Sequence, residues 1–269
     1  MRVELNRTLT IVLIKTVLVT MPWLIDTAEG AVVTDGLISY WTFDKAHIDG
    51  DTLNDVWGEN HGTIVGRAEI VDQGKFGEAL DPIPGHVEFD DSNLPARNDP
   101  RTLSAWVKLD SVPQACGSVF QWGSLNDTRI SGMMVCNGGT GFFVGGHADM
   151  ESDGTMKRGV WNNITITYDG ELLRMYINGE FDKKDPPGLK WGNRPRKLNT
   201  VLGGTGAIGS LMDGDEDDEG FTFGLIDEVS IYDRTLSANE VEQNFKAEGL
   251  AVNAAGKLAL TWGGIKLSR

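Results

Sequence analysis

Asp227 is the residue whose type and setting point most directly to chemistry. It falls in phase with Leu225, Val229 and Ile231 if one unbroken strand runs through them. A carboxylate on an apolar strand face is costly unless it is paired or coordinates a metal. Two alternatives stand beside the metal. The carboxylate accepts backbone N–H bonds at a strand end, or Gly224 hosts a bulge that shifts the phase. Asp213, Asp215 and Asp217 alternate like the start of a calcium loop, but Gly224 stands where the bidentate Glu would be. A solvated acidic loop is the simpler reading of 213–219.

Catalytic signatures are sparse. Retaining glycosidases need two carboxylates about 5–5.5 Å apart on a rigid frame. The nearest match is Glu180-Phe181-Asp182-Lys183-Lys184-Asp185. It follows the Asn178-Gly179 turn and ends at Pro186-Pro187, the setting of an edge strand running into a loop. His47, His61, His86 and His147 are scattered, without the paired spacing of a zinc site. No nucleophile elbow or phosphate loop occurs in the sequence.

The two cysteines have a geometric relationship. The segment between Cys116 and Cys136 reads strand–turn–strand, with a polar tip at Leu125-Asn126-Asp127. A hairpin centred on Asn126 sets the cysteines opposite one another, which favours a cross-strand disulfide over two buried thiols. Export would permit it. The N-terminus reads as an export signal: Arg2 and Arg7, a charge-free and mostly apolar run from Thr16 to Ile25, and small residues at Ala28-Glu29-Gly30-Ala31. Lys15 interrupts the longer apolar stretch. The expected organisation is a signal over 1–30, one domain over 31–249 and a tail over 250–269.

The elements that must position these residues are mostly strands. The 269-residue chain has 34 Gly, 8 Trp and 10 Phe, the composition of a turn-rich, aromatic β protein. Its net charge of −15 disfavours phosphate backbones and anionic lipid, so neither nucleic acid nor membrane is an expected partner. Leu103, Ala105, Val107 and Leu109 alternate with Thr102, Ser104, Trp106 and Lys108. Asp169-Gly170 predicts a two-residue hairpin in which Ile166 faces Leu173 and Ile164 faces Met175. Its other side carries Thr165, Arg174 and Tyr176, a surface open either to ligand or simply to solvent. Asn178-Gly179 predicts a second tight turn. Ser237 with Glu240 forms a capping box for one short helix, expected at an end of the sheets. Trp57, Trp122 and Trp191 near loops are either sugar-stacking platforms or loop packing.

Taken in order, the motifs carry a family resemblance. They are Tyr40-Trp41-Thr42-Phe43-Asp44, Asn60-His61-Gly62-Thr63, Gly74-Lys75-Phe76-Gly77-Glu78-Ala79-Leu80 and Gly85-His86-Val87-Glu88-Phe89. Thr102 to Val107, Trp161-Asn162-Asn163-Ile164, Tyr168-Asp169-Gly170, Tyr176 to Glu180 and Ile226 to Ser237 follow. The stretch from about 36 to 246 resembles the laminin G-like domains of the concanavalin A-like lectin/glucanase superfamily.

The resemblance implies an all-β jelly-roll sandwich of two antiparallel sheets with one short C-terminal helix. It places Asp44 near the Asp227 strand, and implies a structural calcium held by Asp44 and Asp227 with oxygens from Asn60-His61. It also implies a secreted or cell-surface, non-catalytic module for extracellular glycan or matrix protein. A glycoside hydrolase or lyase on the same fold, and a protein–protein adhesion domain, are the alternatives.

Overall fold

A computed structural model describes residues 30–82, 84–110, 116–124, 129–136, 139–144, 149–184, 198–209 and 224–250. The expected signal up to residue 29, the acidic loop 213–219 and the tail beyond Leu250 lie outside these residues, as do His147 and Trp191.

Seventeen strands and one α-helix make up the described fold. The first seven are β1 (Leu37–Trp41), β2 (Ile48–Asp49), β3 (Thr52–Leu53), β4 (Gly62–Gly66), β5 (Glu69–Val71), β6 (Ala79–Asp81) and β7 (Gly85–Phe89). Next come β8 (Arg101–Lys108), β9 (Gly117–Ser124), β10 (Arg129–Cys136), β11 (Thr140–Val144) and β12 (Met150–Thr155). The last are β13 (Trp161–Tyr168), β14 (Leu173–Ile177), β15 (Glu180–Lys184), β16 (Gly206–Ile208), β17 (Leu225–Tyr232) and the helix α1 (Ala238–Lys246).

They form two antiparallel sheets, as the sequence resemblance implied. The first runs β15-β14-β13-β8-β17-β6-β5, with β1 also on β17. The second runs β12-β11-β10-β9-β16-β7-β4-β3-β2. Alternating residues close the space between them. Leu103, Ala105, Val107, Ile164, Ile166 and Met175 of the first sheet share one core with Val119, Phe120, Trp122, Met133, Val135 and Phe143 of the second. Each buried Val, Leu, Ile, Met or Phe among them contributes about 1.5–3 kcal/mol.

The cysteine expectation is met. Cys116 and Cys136 are disulfide-bonded. Beside them Val135 pairs Gly117 and Met134 pairs Ser118, the register of a hairpin centred on Asn126. Beyond that the register shifts, because Met133 pairs Phe120 and leaves Val119 as an extra residue.

Two expectations are corrected. The β13–β14 connection is a four-residue loop, with Tyr168 opposite Leu173 and Ile166 opposite Met175. Asp169 Oδ1 accepts from the backbone N–H of Glu171 at 3.0 Å and of Leu172 at 2.8 Å. This Asx-type closure replaces the tight two-residue turn. The slip is two residues, so every side chain keeps its face. The Asn178-Gly179 turn does form, joining Ile177 to Glu180 with φ of +53° and +76°. A Cβ on Gly179 would lie 2.9 Å from the Phe245 ring, so the helix approaches there because the residue is Gly.

The second correction concerns α1. Its capping box forms as expected, with Ser237 accepting from Glu240 N–H and Glu240 accepting from Ser237 N–H. The helix packs on the outer face of the first sheet, not on an end. Val241 joins Leu37, Tyr40, Tyr176, Tyr232 and Leu236 in a second apolar cluster there. Phe245 stacks on Trp106 with centroids 5.4 Å apart. The chain before β1 is drawn into the same cluster by Val32 and Val33. Val33 N–H donates to Asn244 Oδ1 at 2.8 Å, and Tyr232 hydroxyl donates to Val33 O at 2.9 Å.

Candidate functional site

With α1 covering one sheet, the outer face of the other is the place to look for ligand chemistry. The extra residue Val119 governs what lies there. It lets Val119 and Phe120 both enter the core. Ser118 on one side of the bulge and Gln121 on the other then both turn outward. Gln121 sits in register between Gly132 of β10 and Ala207 of β16, and Ala207 pairs with Glu88 of β7. Its amide is therefore flanked by two residues almost without side chains. A Cβ on Gly132 would lie 3.3 Å from Gln121 Cβ. The neighbouring row runs from Ser118 through Met134 and Phe142 to Glu151.

Gln121 and Ser118 are buried, yet among the described residues Gln121 Oε1 and Ser118 Oγ have no hydrogen-bond partner. A buried polar atom left unpaired costs about 1–3 kcal/mol, and native folds carry few of them. Two of them lie in adjacent rows of one sheet face, on residues only 3% and 4% exposed. The third such atom among the described residues is Thr167 Oγ1 in the other sheet. At the margin, His86 Nε2 lies 3.1 Å from Glu88 Oε1, both toward solvent.

The outer face of the first sheet is occupied. Thr165 and Tyr176 are buried, and Thr165 Oγ1 bonds Ser104 Oγ at 2.9 Å and Asn163 Oδ1 at 3.0 Å. Arg174 pairs with Asp169 at 2.7 Å. These three side chains therefore do not form an open binding surface.

The metal candidates divide between two loops. Asp227 leaves the phase of Val229 because Glu228 adopts φ +51° and breaks the β8 register between Asp227 and Ser230. Ile226, Val229 and Ile231 enter the core. The break thus lies at Glu228, four residues beyond the Gly224 considered from sequence. Asp227 Oδ2 accepts from the backbone N–H of Lys75 at 2.7 Å and Phe76 at 3.1 Å, and Oδ1 from Glu228 N–H at 2.8 Å. Asp44 reaches the same loop, accepting from Glu78 N–H at 3.1 Å, and a Cβ on Gly77 would collide with it.

Asn60 and His61 belong to a different loop, organised by buried Asp55. That carboxylate accepts from the N–H of Tyr40, Trp57, Gly58 and Asn60, at 2.9, 3.0, 2.9 and 3.2 Å. Asn60 O accepts from Trp41 Nε1, and His61 Nδ1 from Asp55 N–H. Among the described residues no group of three or more His, Cys, Asp or Glu side chains is placed to hold a metal.

Beside Asp227, buried Glu228 accepts a hydrogen bond from Tyr40. Burial pushes Asp227 up to about 9, with repulsion from Glu228 adding to it. Burial also pushes Glu228 up to about 8.

The remaining candidates have structural roles. Asp182 accepts from the N–H of Asp153 and Gly154 on β12, at 2.7 and 2.9 Å, closing one edge of the sandwich. Glu180 stands exposed at the start of β15. Trp122 is a core residue and Trp57 Nε1 bonds Leu37 O at 2.7 Å, so both read as packing. Sequence reasoning missed Ser118 and Gln121. The available signal was the break in alternation at Val119-Phe120, two consecutive apolar residues between polar ones.

Two facing antiparallel sheets with this strand order define a lectin-type β-sandwich. A laminin G family model, described as the concanavalin A-like lectin/glucanases superfamily, matches residues 84–242, and the chain belongs to that superfamily. No curated protein sequence is significantly similar to it. Similar solved structures include domain 4 of AbnA, a GH43 extracellular arabinanase from Geobacillus stearothermophilus, in complex with arabinotriose. It is 19% identical with a TM-score of 0.55, over 77% of this chain and 97% of that one. The binding domain of Paraclostridial Mosquitocidal Protein 1 is 16% identical with a TM-score of 0.59, over 78% of this chain and 52% of that one. Trypanosoma rangeli sialidase is 17% identical with a TM-score of 0.55, and only 35% of its length is matched. At these identities the likeness is one of fold.

Proposed function

We propose that this chain is a non-catalytic, extracellular module that binds glycan through the outer face of its second sheet. The observation that carries this reading is the pair of buried, unpartnered groups, Gln121 Oε1 and Ser118 Oγ, on that face. Sugar hydroxyls both donate and accept, so they can satisfy both atoms at once. Fold alone does not assign a ligand, and the reading rests on the site. The disulfide supports an oxidising location, and the arabinotriose-bound arabinanase domain shows that this fold accommodates sugar in another protein.

Calcium is not required by this reading. Asp227 already spends both oxygens on backbone N–H groups, and Asn60 and His61 serve the Asp55 loop. A hydrolase or lyase is the second reading, favoured only by the likeness to an arabinanase domain and a sialidase. A glycan array together with a reducing-sugar assay tests both. Binding without sugar release is expected. Sugar release that is lost in Glu180→Gln or Glu88→Gln would establish an enzyme instead. Silence on every glycan would turn attention to a protein partner.

A further inference from the structure

One rim of the first sheet carries a fixed basic turn beside a tryptophan. We infer that this rim is a separate ligand site, one that takes uronate-bearing glycan chains. It shares no residue with the outer face of the second sheet and does not depend on it.

The last row of the first sheet runs from Trp161 of β13 to Lys108 of β8 and Leu225 of β17. Ala105, Val107, Ile164 and Ile166 enter the core, so alternation turns Trp161 and Lys108 to the outer face. Both are part-exposed there, whereas Trp106, one row in, is only 6% exposed against Phe245. Residues 157–160 turn beside the same row. Buried Asn162 holds both ends of that turn. Its Oδ1 accepts from Lys157 N–H at 3.2 Å, and its Nδ2 donates to Lys157 O and to Val160 O, each at 2.9 Å. Gly159 N–H donates to Leu109 O at 2.9 Å, and Arg158 Nη2 to Asp110 O at 2.7 Å. Lys157, Arg158 and Val160 stand exposed on this turn, Val160 by 48%.

The turn thus presents two cations and an apolar tip on a backbone already fixed, which lowers the ordering cost of binding. A third cation, Lys108, stands next to the Trp161 indole. Lys45, Arg174, Lys183 and Arg234 each hold a carboxylate, whereas Lys108, Lys157 and Arg158 hold none among the described residues. Of the nearby acids, Asp110 is exposed, and Asp227, one row in, is buried and turned to backbone N–H groups. Such cations pair with carboxylate ligands through charge-assisted hydrogen bonds. An indole stacks on the C–H face of a sugar ring. A uronate unites the two requirements, because its carboxylate is carried on the ring that stacks. Repetition along a glycan chain supplies a carboxylate for each further cation. The protein's net charge of −15 does not forbid this, since at physiological salt charges beyond about 8 Å are largely screened.

The experiment titrates the full chain at physiological salt with polygalacturonate oligomers, the same oligomers fully methyl-esterified, and dextran sulfate. Binding to polygalacturonate is expected, weaker by about tenfold or more once the carboxylates are esterified. The double variant Lys157→Ala/Arg158→Ala should weaken it by about tenfold. Trp161→Leu should weaken it several-fold, with melting curves verifying that both variants fold. Arg67→Ala, an exposed arginine after β4, should leave it unchanged. No binding to polygalacturonate, or binding that survives the double variant, would overturn the site while leaving the second-sheet reading untouched. Dextran sulfate binding as tightly as polygalacturonate would reduce the rim to a general polyanion contact and overturn the uronate assignment. The acidic stretch 213–219 precedes Leu225 in sequence, so Asp213→Asn/Asp215→Asn/Asp217→Asn is titrated beside the wild type. Binding seen only in that variant would assign the rim to the protein's own acidic stretch and overturn the proposal.

Discussion

Asp227 and Trp106 are register partners across β17 and β8, and both face away from the core. Alternation along β8 puts Trp106 there, and the bulge at Glu228 puts Asp227 there. It also divides β17 between two neighbours: Ile226 pairs with β6, whereas Val229 to Tyr232 pair along β1. Trp106 and Asp227 then serve one purpose from adjacent strands. Trp106 packs edge-on to Phe76 and lies under Lys75 Nζ at 4.4 Å, while Asp227 holds the backbone of the same two residues. Asp227→Asn replaces one acceptor oxygen with a donor amide facing N–H groups. A loss of about 1–3 kcal/mol in urea unfolding is expected.

The acid pair gives stability a pH dependence. Glu228 is raised from 4.5 to about 8 and Asp227 from 3.8 to about 9, so the fold holds their protons more tightly than the unfolded chain does. Their contribution is complete below the unfolded values and is lost as pH rises through the folded ones. The melting temperature should therefore fall between about pH 6 and pH 9. Glu228→Gln should flatten that slope. A melting temperature that rises over the same range would contradict the burial argument.

Arg101 is fully buried and spends its side-chain N–H groups on neutral oxygens. They go to the carbonyls of Asp99, Ala96 and Arg97 and to the hydroxyls of Ser131 and Thr200, all within 2.8–3.0 Å. Burial lowers it to about 10, still charged at neutral pH. Lysine reproduces the charge but not the planar fork. Arg101→Lys should cost on the order of 3 kcal/mol, read by chemical denaturation.

The Cys116–Cys136 bridge spans 20 residues of sequence. Chain-entropy arguments give about 3 kcal/mol for a loop of that size. The double variant Cys116→Ser/Cys136→Ser should unfold at correspondingly lower denaturant. Its β9–β10 pairing should persist, because Val119, Phe120, Met133 and Val135 are held by the core rather than by sulfur.

How much of this was legible in the sequence depends on which device sets the local phase. Strand faces were readable wherever alternation ran unbroken, as in β8 and β13. The β13–β14 register was off by two because Asp169 closes a four-residue loop with its own side chain, and Asp-Gly suggests a tighter turn equally well. The cysteines were placed correctly since their hairpin register is regular at that end. For Asp227 the backbone-acceptor alternative is the one that forms, and the bulge sits at Glu228 rather than Gly224 because a left-handed Glu leaves no compositional trace of the kind Gly does. The same kind of irregularity hid Ser118 and Gln121. A single extra residue at Val119 brought together two side chains that strict alternation would send to opposite faces.

Relief of the orphan groups provides a stability test that needs no ligand. Gln121→Leu removes an unpaired buried acceptor and should raise stability by about 1–3 kcal/mol, even as it abolishes glycan affinity. A stability loss instead would mean that the amide already has a partner.

Calcium can be checked in the same melts. Backbone donors occupy Asp227, so neither millimolar calcium nor chelator is expected to move the midpoint. A calcium-induced rise of several degrees would show that the 74–78 loop rearranges to admit the ion.

The anchoring of Val33 on Asn244 and Tyr232 brings the first and last described segments together behind the first sheet. A fluorescent tag or a surface linker attached at Ala31 or Leu250 would hang from the rear of the sandwich. The second sheet would then face away from any support that holds the molecule. Immobilisation through either of these positions should leave the second sheet on the far side of the molecule.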